Sequence, residues 1–168
     1  MTKRTRARWG GIALAGMLAV AGTVYAATGL KGMDAPDFVL KSVSGKNLRL
    51  SEYRGNVVML SFWATWCGDC RAQLEHLGEV RDRYRDAGVE LLAVSLDQTM
   101  RQAKDATSRA SYPVLHDAGG EVGRMYDVGK VPVLVLIDRS GVVREVFEGF
   151  RRGNDEQYLA EVQALLRE

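Results

Sequence analysis

Cys67 and Cys70 are the only cysteines in the 168-residue chain, and two residues separate them in Phe62-Trp63-Ala64-Thr65-Trp66-Cys67-Gly68-Asp69-Cys70. Two thiols at this spacing can cycle between dithiol and disulfide. One attacks a partner disulfide, and the second resolves the mixed disulfide. Two plainer roles compete with this. A structural bridge from i to i+3 closes a tiny loop and stabilises little. Half of a structural zinc site needs further ligands, and only His76 and His116 could help. The ligand count favours redox chemistry with no metal and no cofactor beyond the cysteine pair itself.

Such a pair needs a scaffold that activates one sulfur. The apolar run Val57-Val58-Met59-Leu60-Ser61-Phe62-Trp63 reads as a buried strand leading into the cysteines. From about Cys70 to Ala87, Leu74, Leu77, Val80 and Tyr84 recur at threes and fours, the pattern of a helix with one buried face. The cysteines therefore fall where a strand ends and a helix begins. Unpaired N–H groups and the positive end of the helix dipole stabilise a thiolate there and lower its pKa.

Gly88 ends that helix, and Val89 to Leu96 reads as a core strand, giving a β-α-β unit with parallel strands. Ahead of it, Ala35 to Leu40 and Leu48 to Leu50, with a turn at Ser44-Gly45-Lys46-Asn47, read as an added hairpin. Beyond it, Asp97 is placed to cap a helix over about Thr99 to Ala110. A short extended piece at Tyr112 to His116 and a short helix near Glu121 to Tyr126 follow. Val133 to Ile137 and Val142 to Glu148 read as an antiparallel hairpin, and a final helix capped by Asn154 or Asp155 turns Tyr158, Leu159, Val162, Leu165 and Leu166 inward. His76 reads as a surface residue and His116 as structural. The expectation is an α/β fold with a central mixed sheet flanked by helices.

Composition separates the chain into two parts. Lys3, Arg4, Arg6 and Arg8 account for the net charge of +2, and the rest is slightly acidic. No nucleic-acid footprint is visible. After that basic tail, residues 9–27 are uncharged and largely apolar. The run is about 28 Å long as a helix, so residues 1–27 read as a secretory signal or an uncleaved membrane anchor. Residues 28–34 read as a linker and 35–168 as the folded domain. In either case the domain is expected outside the cytoplasm, in the periplasm or on the outer face of the bacterial inner membrane, where disulfides persist.

From Ala35 onward the chain resembles the TlpA/ResA-like thiol–disulfide oxidoreductases of the thioredoxin superfamily. The likeness rests on Ala35-Pro36-Asp37-Phe38, Phe62-Trp63-Ala64-Thr65-Trp66-Cys67-x-x-Cys70-Arg71, Val131-Pro132 and Ile137-Asp138-x-x-Gly141. It implies a thioredoxin-like fold with an N-terminal hairpin extension. It implies Cys67 as the attacking thiol, Cys70 as the buried resolving thiol and Gly68 and Asp69 between them. Pro132 would be a cis-proline facing the disulfide, Val131 would offer its backbone to an extended client, and Trp66 would shield the site. The partners implied are a disulfide-containing protein client and a membrane thiol electron donor.

The chain departs from the pattern at four places. Ser61 and Gln73 stand where relatives often carry an Asp and a Glu that help to move the buried thiol's proton; neither titrates usefully. Lys130-Val131-Pro132-Val133 replaces the Gly-x-Pro-Glu of relatives devoted to cytochrome c maturation, which leaves that role open. A copper-binding assembly protein would use the two thiolates with a histidine, but such relatives usually place three residues between the cysteines. A thiol peroxidase usually carries Pro-x-x-x-Thr-x-x-Cys, where this chain has Leu60 and Ala64. The fourth departure is Asp69, in a place where many relatives have proline. A carboxylate about 7 Å from a thiolate, at an intermediate dielectric, costs about 1 kcal/mol. Asp69 is thus expected to favour the disulfide and make the pair a reductant. D69P should therefore raise the reduction potential, read by equilibration against a thiol buffer; an unchanged potential would count against this role.

Overall fold

A computed structural model describes residues 27–168 apart from Arg152. The basic tail and nearly all of the apolar run, residues 1–26, lie outside the described residues. Seven strands form one mixed sheet: β1 (Val39–Ser42), β2 (Asn47–Arg49), β3 (Val57–Trp63), β4 (Val89–Ser95), β5 (Val114–His116), β6 (Val133–Ile137) and β7 (Val143–Glu148). Their order across the sheet is β2-β1-β5-β4-β3-β6-β7. β3, β4 and β5 are parallel, β6 and β7 form the expected antiparallel hairpin, and β1–β2 is the hairpin added at the opposite edge.

Alternation along the central strands divides the core into two layers. Val57, Met59, Leu91, Leu134 and Leu136 face helices α1 (Gly68–Tyr84) and α4 (Asn154–Leu166), meeting Leu77, Val80, Tyr158 and Val162. Val58, Leu60, Phe62, Leu92, Val94, Val133 and Val135 point the other way, toward Phe38, Ala103, Val122 and Tyr126. That second layer lies under α2 (Met100–Ala106) and α3 (Glu121–Met125). By the same alternation Ser61 falls on the α1/α4 side of β3.

Several local expectations change. The α-helical part of α1 stops at Tyr84, and a 3-10 turn over Arg85–Ala87 leads to Gly88 at φ 90°. Asp97 does not cap α2. Thr99 does: its hydroxyl accepts the Gln102 N–H at 3.4 Å, and the Gln102 side chain accepts the Thr99 N–H at 3.0 Å, a capping box. α2 ends four residues early, at Ala106, where the Thr107 hydroxyl donates to the Ala103 carbonyl at 2.6 Å. Gly153 rather than Asn154 or Asp155 occupies the N-cap of α4. Within α4, Tyr158, Val162 and Leu165 are buried, while Leu159 and Leu166 are only half-buried.

Residues 28–34, expected to be a linker, lie against β7: Gly32 donates to the Val143 carbonyl at 2.7 Å, and Val143 donates to that of Met33 at 2.8 Å. At the β6–β7 turn, Asp138 accepts from Ser140 N and Oγ, Val142 N and Arg144 at 2.6–3.1 Å. Burial opposes the ionisation of Asp138, but these donors outweigh it and hold its carboxyl below the usual range. Gly141 closes the turn at φ 85°, with the Arg54 guanidinium in the space that a Cβ would need.

A carboxyl lowered in the folded state contributes stability above its unfolded pKa, and that contribution is lost as pH falls through the folded value. D138N should therefore cost about 1–2 kcal/mol at neutral pH. The deficit should shrink steadily below about pH 4, as denaturant titrations at several pH values would read.

Candidate redox site

β3 is buried at every position, and the chain turns at its end through Ala64, Thr65 and Trp66 into α1. Cys67 is the N-cap of α1, with φ −91° and ψ 113°. Its sulfur accepts the Cys70 N–H at 3.2 Å, so one of the helix's unpaired donors points at the redox atom. Cys67 and Cys70 form a disulfide. Cys67 is partly exposed and Cys70 is fully buried. Only one of the two sulfurs is open to a partner.

Gly68 and Asp69 occupy the exposed first turn of α1. Trp66 is 71% exposed, so it projects from the site rather than shielding it. Trp63 belongs to the core, as its apolar setting suggested; its buried indole N–H has no partner among the described residues. Val131–Pro132 is a cis peptide. β6 runs antiparallel to β3 with Phe62 opposite Val133, which brings Val131 and Pro132 alongside the end of β3, where the Cys67 loop starts. Neither the N–H nor the C=O of Val131 has a hydrogen-bond partner among the described residues. On the other flank of Cys67, a cleft of about 760 Å³ runs between α1 and residues 106–112, over Leu74, Gly78 and Tyr112.

The two positions that depart from the acidic pattern meet beneath the helix. Ser61 Oγ donates to Gln73 Oε1 at 3.1 Å, and Gln73 Nε2 donates to the Tyr158 hydroxyl at 3.2 Å. All three side chains are fully buried. Burial pushes the Tyr158 phenol above its ordinary pKa, with the Gln73 hydrogen bond opposing. The chain Ser61–Gln73–Tyr158 is therefore neutral, one helical turn from Cys70. Tyr158 was legible as an inward residue of α4, but its link to Gln73 spans 85 residues and left no local signal.

Neither histidine joins the cysteines. His76 is half-buried rather than on the surface, with a buried Nε2 that has no partner among the described residues. The His116 ring is buried and donates through Nε2 to the Asp97 carbonyl at 2.9 Å, since a carbonyl oxygen only accepts. Among the described residues no three His, Cys, Asp or Glu side chains converge, as the copper reading would require.

A mixed sheet flanked by helices, with a Cys-x-x-Cys disulfide capping the helix after its central strand, defines a thioredoxin-fold thiol–disulfide oxidoreductase. Comparison with known proteins agrees. Residues 32–146 match the AhpC/TSA family, and the chain belongs to it. The chain is 37% identical over 120 residues to the thiol-disulfide oxidoreductase ResA of Geobacillus kaustophilus, covering 70% of this chain and 69% of that protein. It is 33% identical over 134 residues to ResA of Bacillus thuringiensis, covering 78% of each. A solved structure of a putative thiol:disulfide interchange protein DsbE from Chlorobium tepidum superposes with a TM-score of 0.78 at 36% identity, covering 81% of this chain and 97% of that one.

A carboxylate at position 73 could accept from Ser61 and, once the Tyr158 hydroxyl turns to donate, from Tyr158 as well. Q73E is thus expected to fold and to give Cys70 a nearby base. Resolution of a mixed disulfide should accelerate by roughly 10–100-fold in stopped-flow exchange; an unchanged rate would mean that proton removal from Cys70 is not limiting.

Proposed function

We propose that this enzyme is an exported reductant of protein disulfides. The observation that supports the reading best is the division of labour at the disulfide: Cys67 is partly exposed at a helix N-terminus, and Cys70 is sealed behind it. In the reduced protein the Cys67 thiolate, stabilised by the α1 terminus, attacks one sulfur of a client disulfide. A Cys67–client disulfide forms, and the other client sulfur leaves as a thiolate. Cys70 then loses its proton through a relay by water or another group, because Ser61 and Gln73 cannot take it, and attacks Cys67 Sγ. The second client thiolate leaves and the Cys67–Cys70 disulfide closes. Two electrons have passed to the client, whose two thiolates take up protons from water. A membrane dithiol then restores the pair by the same exchange in reverse.

The client segment lies extended beside Cys67. The N–H and C=O of Val131, without partners among the described residues, offer it strand-like hydrogen bonds next to Pro132, and the exposed Trp66 ring offers an apolar contact. Residues 9–27 export the domain or hold it at the membrane, which places it in the periplasm or on the outer face of the inner membrane. Apocytochrome c during cytochrome c maturation is one client class of this chemistry.

The reduction potential of the Cys67–Cys70 pair in the segment 28–168 is the test. A value toward the thioredoxin end of the scale, roughly −270 mV, is expected. A value near that of a strong oxidant, about −120 mV, would overturn the assignment as a reductant.

A further inference from the structure

We infer that Asp97 is a positioning residue for the redox site: by holding Thr65, it fixes where the Cys67 sulfur stands at the α1 N-terminus. The inference rests on Cys67 being the attacking thiol.

Asp97 lies just past β4 and is 2% exposed. Its Oδ1 accepts both the Thr65 N–H, at 2.9 Å, and the Thr65 hydroxyl, at 2.6 Å. Its Oδ2 accepts the Ser95 hydroxyl at 2.8 Å, and the Asp97 N–H donates back to Ser95 Oγ at 3.1 Å. Three donors converge on a group that only accepts when ionised. From β5, His116 Nε2 donates to the Asp97 carbonyl at 2.9 Å and fixes the backbone of the clamp. No ion pair among the described residues includes Asp97. Burying a carboxylate without a cation is costly unless hydrogen bonds are aimed at it, and here two of the three come from one residue of the active-site loop.

That residue is two positions before Cys67. The Cys67 N–H donates to the Ala64 carbonyl at 3.2 Å, closing the turn that contains Thr65, and the Leu96 N–H donates to the Trp63 carbonyl at 2.9 Å. The turn is thus a small closed unit tied to the end of β4, with Asp97 as its side-chain tether. Thr65 itself is exposed, so no packing would hold it in place without this tether. A sulfur gains from the helix terminus only while it stays over the N–H groups, because the effect falls off within the first turn. Loosening Thr65 should therefore raise the energy of the Cys67 thiolate.

The test is alkylation of the reduced protein by iodoacetamide across the pH range, with Cys67 and Cys70 read separately by peptide mass. In D97A the Cys67 profile should move to higher pH, and its rate at neutral pH should fall about tenfold, with circular dichroism retained. D97N keeps an oxygen acceptor toward Thr65 and should restore most of the rate. T65V keeps the amide bond, loses the hydroxyl bond and should fall between the parent and D97A. An unchanged Cys67 profile in D97A, or a D97N variant as impaired as D97A, would overturn the inference. Should D97A not fold, T65V decides, and a parent-like profile there has the same force. Alkylation at Cys70 first in the parent protein would remove the assignment of Cys67 and the inference with it. Cys67-first alkylation with an indifferent D97A would remove the clamp alone.

Discussion

The site depends on the junction between a fully buried strand and the first turn of a helix. β3 has neighbours on both sides and side chains buried on both faces, so its end can shift very little. α1 begins within five residues of that end, and its unpaired N–H groups fall where the strand delivers Cys67. The strand supplies position and the helix supplies polarity. Both are needed to make one sulfur reactive while its partner, a turn further on, stays in the core.

The surroundings of the two sulfurs differ in kind. On the Cys67 side, polar groups are tied to the loop, the backbone of Val131 has no partner among the described residues and Trp66 projects into solvent. On the Cys70 side, Ser61 donates to Gln73 and Gln73 donates to Tyr158, a buried run of neutral side chains. A buried acid there would have to be desolvated, at a cost that a buried amide with both ends hydrogen-bonded avoids.

Much of this was legible in the chain. The apolar runs of β3, β4 and β6 are long enough to identify central strands, and the cysteine spacing at the end of one of them identifies the chemistry. The misreadings share a physical cause: short polar residues can bond locally or at a distance, and sequence shows only the local option. Asp97 precedes a helix and looked like its cap, yet its carboxylate turned to Thr65, 32 residues away. The Thr99-x-x-Gln102 pair was the better local signal for that helix start. Asn154 likewise bonds back to the Arg151 N–H while a left-handed glycine takes the cap of α4. Trp66 was expected to cover the site from the family resemblance alone, and its ring instead stands 71% exposed.

The neutral trio beneath Cys70 has one more consequence. A scaffold built on buried acids changes its internal field whenever those acids take up or lose protons, and its shape follows. Serine and glutamine carry no titrating proton, and burial moves the Tyr158 phenol further from neutrality. The floor of this site therefore holds the same charge and the same hydrogen bonds in mildly acidic and mildly alkaline surroundings. At the proposed location outside a cytoplasmic membrane, where acidity follows the environment rather than the cell, that keeps the floor beneath Cys70 indifferent to weather that its thiols must still feel.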